Sequence, residues 1–307
     1  MPVVGEMGKR ILKNQYPKPD HLIVHISDTH LLAGDENLYA STVNSENNLI
    51  ELLNGLEASG CKPEAIVFTG DIADEGESKA YRKILNIVNP VAEKMGAKII
   101  WIMGNHDDRQ NFRINLLDEY PSETTIDKVY NINGLRIIAL DTSVIGHHYG
   151  EISDDQLAWL KGILTTPAEQ GTILAMHHPP IPSVLDLAIA VELQDQDKLA
   201  EVIKGSDIRS IIAGHLHYSS NSTFAQIPVS VASSTCYTQD LNVKLGGIRG
   251  QDGAQGFNLI HVYKDTIVHS VVPIGSFPTV GKFISAEETK KILDGNEEEG
   301  LLKPVLT

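Results

Sequence analysis

The chain has 307 residues and a mass of 33.5 kDa, enough to bury one large core or two smaller ones. Its 42% hydrophobic and 21% charged content is ordinary for a globular protein, and a formal net charge of −15 argues against a broad basic face for nucleic acid. Two cysteines, Cys61 and Cys236, give neither a disulfide framework nor a thiolate metal cluster, and they fit a reducing compartment.

Along the chain, residues 1–18 carry Lys9, Arg10 and Lys13 but no apolar run ending in small residues, so they do not read as a secretion signal. No stretch approaches the roughly 20 apolar residues needed to span a bilayer. A soluble cytoplasmic protein is expected. The first strand, Leu22 through Ile26, ends in Asp28-Thr29-His30. Leu49, Leu52, Leu53 and Leu56 then show helical spacing over residues 47–56, with Asn44 or Ser45 as cap. A strand through Phe68 runs into Gly70-Asp71, and an amphipathic helix covers residues 78–95. The Trp101 strand runs into Gly104-Asn105-His106-Asp107, with a helix near residues 112–117. Asn133-Gly134 joins strands 128–132 and 135–140 as a hairpin, and a helix capped by Ser153 reaches Leu164.

A strand through Ala175 ends in His177-His178, after which Pro179, Pro180 and Pro182 force an irregular rim. A helix over residues 195–203 leads to the strand that ends in Gly214-His215-Leu216-His217. Strands at 223–226, 229–232, 257–263 and 266–272 follow, with residues 246–256 as a glycine-rich loop. A helix from Ser285 and an acidic run, Glu297-Glu298-Glu299, close the chain. This order divides into an N-terminal extension (1–20), one domain (21–284) and a C-terminal helix with acidic tail (285–307). Alternating strands and helices predict an α/β fold with two packed sheets between helices.

Five apolar runs thus end in metal-binding residue types, and parallel strands carry their sites at carboxyl ends. Asp28, His30, Asp71, Asn105, His177, His215 and His217 are too many donors for one ion. They form a mixed oxygen and nitrogen set suited to iron, manganese or zinc and poor for calcium. One group must bridge two ions roughly 4 Å apart. An imidazole has one free lone pair, so the bridge falls to Asp28 or Asp71. The resulting positive pocket attracts a phosphate ester and makes a bound water acidic enough to attack it. Gly70, Gly104 and Gly214 precede ligands, where close backbone approach is needed. His106 follows Asn105 and is free to protonate a leaving oxygen, the alternative being that it merely orients Asn105 or Asp107. His178 is expected to turn away, His147 and His148 to lie in a solvated loop or, as the alternative, to line the substrate rim, and His21, His25, His261 and His269 to be satisfied sheet residues. Asp74 and Asp107 either brace the ligand loops or are solvated.

The blocks Asp-X-His, Gly-Asp, Gly-Asn-His-Asp, a later His and Gly-His-X-His resemble the calcineurin-like metallophosphoesterase superfamily. Phe68 to Asp74, Met103 to Arg109, His177 to Ser183 and Ala213 to Tyr218 look like the class III cyclic nucleotide phosphodiesterases, its mycobacterial and actinobacterial members above all. The resemblance implies a four-layer α/β/β/α sandwich with a dinuclear centre at strand carboxyl ends. It would place the first metal, typically iron, on Asp28, His30, Asp71 and His217. The second, typically manganese, would lie on Asp71, Asn105, His177 and His215, with zinc or cobalt as alternatives and Asp71 bridging. It implies catalytic roles for Asn105 and His106, substrate contacts from His30, Asp71, Asn105, His106 and His217, and a homodimer. The expected reaction is hydrolysis of a 3',5'-cyclic nucleotide (cyclic AMP, also cyclic GMP) to the 5'-monophosphate, without nucleic acid or membrane insertion. Broad diesterase activity on 2',3'-cyclic nucleotides or glycerophosphodiesters, and a non-catalytic scaffold, are the competing readings.

Overall fold

The structure is a computed structural model that describes residues 14–294; most of the N-terminal basic segment and the Glu297 run lie outside the described residues. Chain contacts divide it into two units, residues 19–274 and, among the described residues, 14–18 with 275–294. The smaller unit holds helix α7 (Ala286–Leu293), opened by a reciprocal capping box between Ser285 and Glu288. No helix among the described residues is long and apolar enough to cross a membrane.

The larger unit is built on two sheets. In the first, β1 (His21–Ile26), β2 (Ala65–Thr69) and β3 (Lys98–Ile102) run parallel, and β14 (Gly256–Val262) and β15 (Ile267–Pro273) extend the β1 edge antiparallel. The second has the order β10 (Ser220–Phe224), β11 (Ile227–Val231), β9 (Ile208–Ala213), β8 (Thr172–Met176), β5 (Leu135–Leu140), β4 (Lys128–Ile132). Its four central strands are parallel.

Strand alternation decides the layers. Ile23, Val67, Ile100, Ile137, Ile173 and Ile212 are fully buried in the core between the sheets. Their neighbours Val24, Ile66 and Phe68 face outward under α2 (Ser45–Ala58) and α3 (Ser78–Met95), where Leu49, Leu53, Tyr81 and Ile84 meet them. Ile138, Leu174 and Ile211 do the same under α5 (Asp154–Leu164) and α6 (Gln196–Ile203). Both faces of each central strand are covered, which is why these strands read as continuous apolar runs. Each such fully buried aliphatic side chain contributes roughly 1.5–3 kcal/mol. The result is the four-layer α/β/β/α sandwich, with β1, β2, β3, β8 and β9 all opening toward one end.

Several elements differ from their sequence-based positions. The helix placed at 112–117 is α4 (Arg109–Phe112), capped by the Asp108 side chain, followed by a π-helical turn over Arg113–Leu117. The strand placed at 223–226 starts at Ser220, because pairing with β11 overrides the poor strand propensity of Ser-Asn-Ser at that sheet edge. A four-residue helix, α1 (Leu38–Ser41), precedes α2. His147 and His148 are not in a loop: β7 (His147–Gly150) pairs with β6 (Ser143–Val144). The glycine-rich segment holds β13 (Gly250–Gln251), paired with β12 (Thr238–Gln239). Three of the four sheet histidines are only half satisfied, with one ring nitrogen of His21, His25 and His269 buried without a hydrogen-bond partner among the described residues.

Candidate metal centre

Each predicted donor sits on the first residues after a strand. Asp28 and His30 follow β1, Asp71 follows β2, Asn105 follows β3, His177 follows β8, and His215 and His217 follow β9. The loops hold these residues in unusual backbone: Asp28, His30, Asp71, His215 and His217 have φ of +54°, +43°, +50°, +71° and +56°. Left-handed backbone costs a residue with a side chain about 1–2 kcal/mol. Fixed neighbours impose it. The amides of Asp28 and His30 donate to the Gly70 and Asp71 carbonyls, and the His215 amide donates to the Asp28 carboxylate. A Cβ on Gly104 would collide with the Asp71 amide and carboxylate, and one on Gly214 with Ser27 and Asp28, so glycine is required at both places.

Two donor groups form around Asp71. Asp28, His30, Asp71 and His217 each offer an atom within 4.8 Å of the others. The His217 Nε2 lies 3.3 Å from Asp28 Oδ1 and 3.2 Å from His30 Nε2. On the other side, His177 Nε2 lies 3.0 Å from Asn105 Oδ1 and 3.2 Å from His215 Nδ1. One oxygen, Asp71 Oδ2, is 3.4 Å from His30 Nε2 and 3.3 Å from His177 Nε2, and so belongs to both groups. His177, His178 and His215 also cluster, but both His178 nitrogens are engaged, by Thr142 Oγ1 at 2.8 Å and the His148 carbonyl at 3.1 Å. Asn105 completes the second group instead, and His178 turns away as the sequence reading has it.

The tautomers reveal what these groups are for. His177 Nδ1 donates to the Thr69 carbonyl, His215 Nε2 to the Val191 carbonyl, His217 Nδ1 to the Tyr237 carbonyl and His30 Nδ1 to the Asp74 carboxylate. None of these acceptors can donate in return, so each ring carries its hydrogen there. The second nitrogen of each ring therefore presents a lone pair to the centre. With the rings neutral, the His30–His217 and His177–His215 approaches would set lone pair against lone pair rather than form hydrogen bonds. That arrangement fits two cations held by imidazole, carboxylate and amide donors. With a proton alone in that position, burial lowers the His177 ring, but the Asp71 charge outweighs it and lifts the pKa to about 9. Burial likewise raises the Asp71 carboxyl, yet the His177 and His30 rings hold it well below the usual carboxylate range. Positive charge is demanded at the centre.

Supporting residues surround the donors. Asp74 accepts from His30, and its backbone carbonyl accepts from His106 Nδ1 at 2.8 Å. The His106 amide donates to Asp71 Oδ1, and its ring, about a third exposed, stands 4.7 Å edge-on to His30. Asp107 accepts from the amides of Ile72, Ala73 and Gly104 and from the Tyr81 hydroxyl. Burial pushes its pKa to about 6, helped by the Asp71 charge. The sequence reading gave His148 no role in holding Asn105, yet its Nδ1 lies 2.9 Å from Asn105 Nδ2 and so keeps Asn105 Oδ1 turned inward. No local signal marks it, since only the β6–β7 pairing delivers it.

Comparison with known proteins agrees with this geometry. The family model described as Calcineurin-like phosphoesterase matches residues 21–219. A cAMP/cGMP dual specificity phosphodiesterase of Mycobacterium tuberculosis is 58% identical, covering 92% of this chain and 88% of that protein. A probable cyclic nucleotide phosphodiesterase of Rhodococcus erythropolis is 59% identical, covering 89% and 90%. Among solved structures, a dimetal phosphatase from Danio rerio superposes with a TM-score of 0.61 at 15% identity, covering 84% of this chain and 98% of that one, which speaks for the fold. Strand-end donors, inward lone pairs and sequence agree: the chain belongs to the calcineurin-like phosphoesterase family.

Proposed function

We propose that this protein is a metal-dependent phosphodiesterase that opens 3',5'-cyclic nucleotides, cyclic AMP and cyclic GMP, to their 5'-monophosphates. The observation that carries the reading is Asp71 Oδ2, one carboxylate oxygen shared by two donor groups. Asp28, His30, Asp71 and His217 would hold one ion, and Asp71, Asn105, His177 and His215 the other. The donor set suits iron and manganese, with zinc or cobalt as substitutes. When bound, the ions supply Lewis acidity toward the phosphoryl oxygens and lower the pKa of a water enough to furnish the nucleophile.

The chain's own residues orient and protonate. His30, Asp71, Asn105, His106 and His217 surround the position of the phosphate. His106 is pinned through Nδ1 to the Asp74 carbonyl, so only its doubly protonated, imidazolium form would carry a second proton on Nε2 for the substrate. As the new oxygen–phosphorus bond forms and the 3' ester bond breaks, that proton passes to the departing oxygen. Catalytic assignments all fall within residues 21–284, which we take as the catalytic domain. The cyclic substrate is supported by the identity with the mycobacterial relative. We further propose a cytoplasmic homodimer, the dimer being what the resemblance to the class III enzymes implies, and a monomer mass by light scattering would reject it.

The test is turnover of cyclic AMP, glycerophosphocholine and a simple phosphate monoester by metal-loaded protein, with Asn105→Ala as control. Cyclic AMP should be hydrolysed fastest, and equal activity in the control would overturn the enzyme reading. His106→Ala should keep both ions while losing about 10²–10⁴-fold in turnover. Metal analysis finding its sites empty would defeat the separation of roles.

A further inference from the structure

We propose that the cavity beside His217 is the subsite that holds the nucleobase, with Tyr39 and Tyr237 as its stacking walls. The inference rests on the cyclic-nucleotide reading above. The cavity has a volume of about 390 Å³, within the roughly 300–1,000 Å³ of small-molecule sites. It is continuous with the first donor group through Tyr237. That ring lies 4.4 Å from the His217 ring and 6.5 Å from His30. Its carbonyl accepts the His217 hydrogen, and the Gln239 amide donates to the His217 carbonyl at 2.9 Å. A phosphate at the centre would therefore carry its nucleoside past Tyr237.

The walls have the chemistry a base needs. Tyr39 and Tyr237 meet at 88° with ring centroids 5.2 Å apart, joined by a 3.1 Å hydrogen bond between their hydroxyls. They form an aromatic corner with one face and one edge. Tyr39 is 64% exposed, a large cost in open apolar surface for a residue with no other described ring partner. Behind the corner, Val43 supplies an apolar floor. Gln239 and Gln251 also line the cavity; the Gln239 side-chain oxygen is buried without a hydrogen-bond partner among the described residues, and Gln251 Nε2 donates one hydrogen to Thr238 Oγ1. A flat π-system with polar edge atoms matches this combination: the rings take the face, and the amides, each with donor and acceptor, take the edge.

The experiment separates base from phosphate. Binding of 5'-AMP and ribose 5-phosphate to the metal-loaded full chain is measured by calorimetry for the wild type, Tyr39→Ala and Tyr39→Phe, with cyclic AMP turnover in parallel. The wild type should bind 5'-AMP more tightly than ribose 5-phosphate. Tyr39→Ala should weaken 5'-AMP about tenfold, as loss of one stacking partner does. Ribose 5-phosphate binding should be unchanged in that variant, which also shows that it is folded, and Tyr39→Phe should retain the preference. Equal binding of the two ligands by the wild type, or equal weakening of both in Tyr39→Ala, overturns the subsite. If cyclic AMP is still turned over in that case, the activity stands and the subsite alone is lost. A wild type that turns over no cyclic nucleotide overturns both.

Discussion

The two donor groups share Asp71 but differ in how deeply the fold encloses them. Asp28, His30 and His217 are 0%, 3% and 6% exposed, and a carboxylate or carbonyl fixes each ring of that group. Asn105 and His215 are half-buried, and the residue that orients Asn105, His148, is exposed. The first group has two carboxylates, whereas the second has only the shared one and a neutral amide. The difference teaches that the first group is buried throughout, whereas the second pairs the buried His177 with Asn105 and His215, which reach toward solvent. A cation at the first meets more negative charge and less water, so it should be the more tightly held.

Breaking the shared oxygen should have the largest effect. Asp71→Ala should lose affinity at both positions and reduce turnover by about 10³-fold or more; metal titration showing one ion held at full affinity would dissolve the idea of a shared ligand. Next comes acid sensitivity, which lies under the site rather than in it. His25 is fully buried with Nε2 bonded to Thr69 Oγ1, and burial, followed by His269, lowers its pKa from 6.5 to about 3. A depressed imidazole stabilises the fold above about pH 6.5, and that stabilisation is lost as pH falls toward 3. By pH 4.5 the loss from this group is about 3 kcal/mol. Urea denaturation of metal-free protein at pH 7.5 and 4.5 should show it, and His25→Asn should flatten the difference; an unchanged pH slope in that variant would refute the assignment. The smallest effect sharpens the comparison most. Asp74→Ala frees His30 and should weaken the first ion about 10–100-fold while sparing the second; equal losses at both positions would show that the groups are not separable.

How much of this was legible beforehand follows from the range of the physics involved. Helix α3 and the hairpin of β4 and β5 lie where the sequence puts them, because apolar spacing and an Asn-Gly turn act over a few residues. The donors were legible for a related reason, since an apolar run followed at once by Asp, Asn or His is a local pattern. His148 was not, because His147-His148 reads as any polar pair until β6 and β7 bring it across to Asn105. Nor was the aromatic corner, since Tyr39 and Tyr237 are 198 residues apart.

The sequence by itself determined which chemical groups were available and that strand ends would carry them, because side-chain type and a continuous apolar run are properties of short segments. Only the tertiary structure decided which nitrogen of each histidine faces inward, that one oxygen of Asp71 serves two groups, and that an aromatic cavity adjoins them. Those depend on carbonyls, carboxylates and rings contributed by distant segments, and a hydrogen bond at 3 Å exists only once the chain has closed.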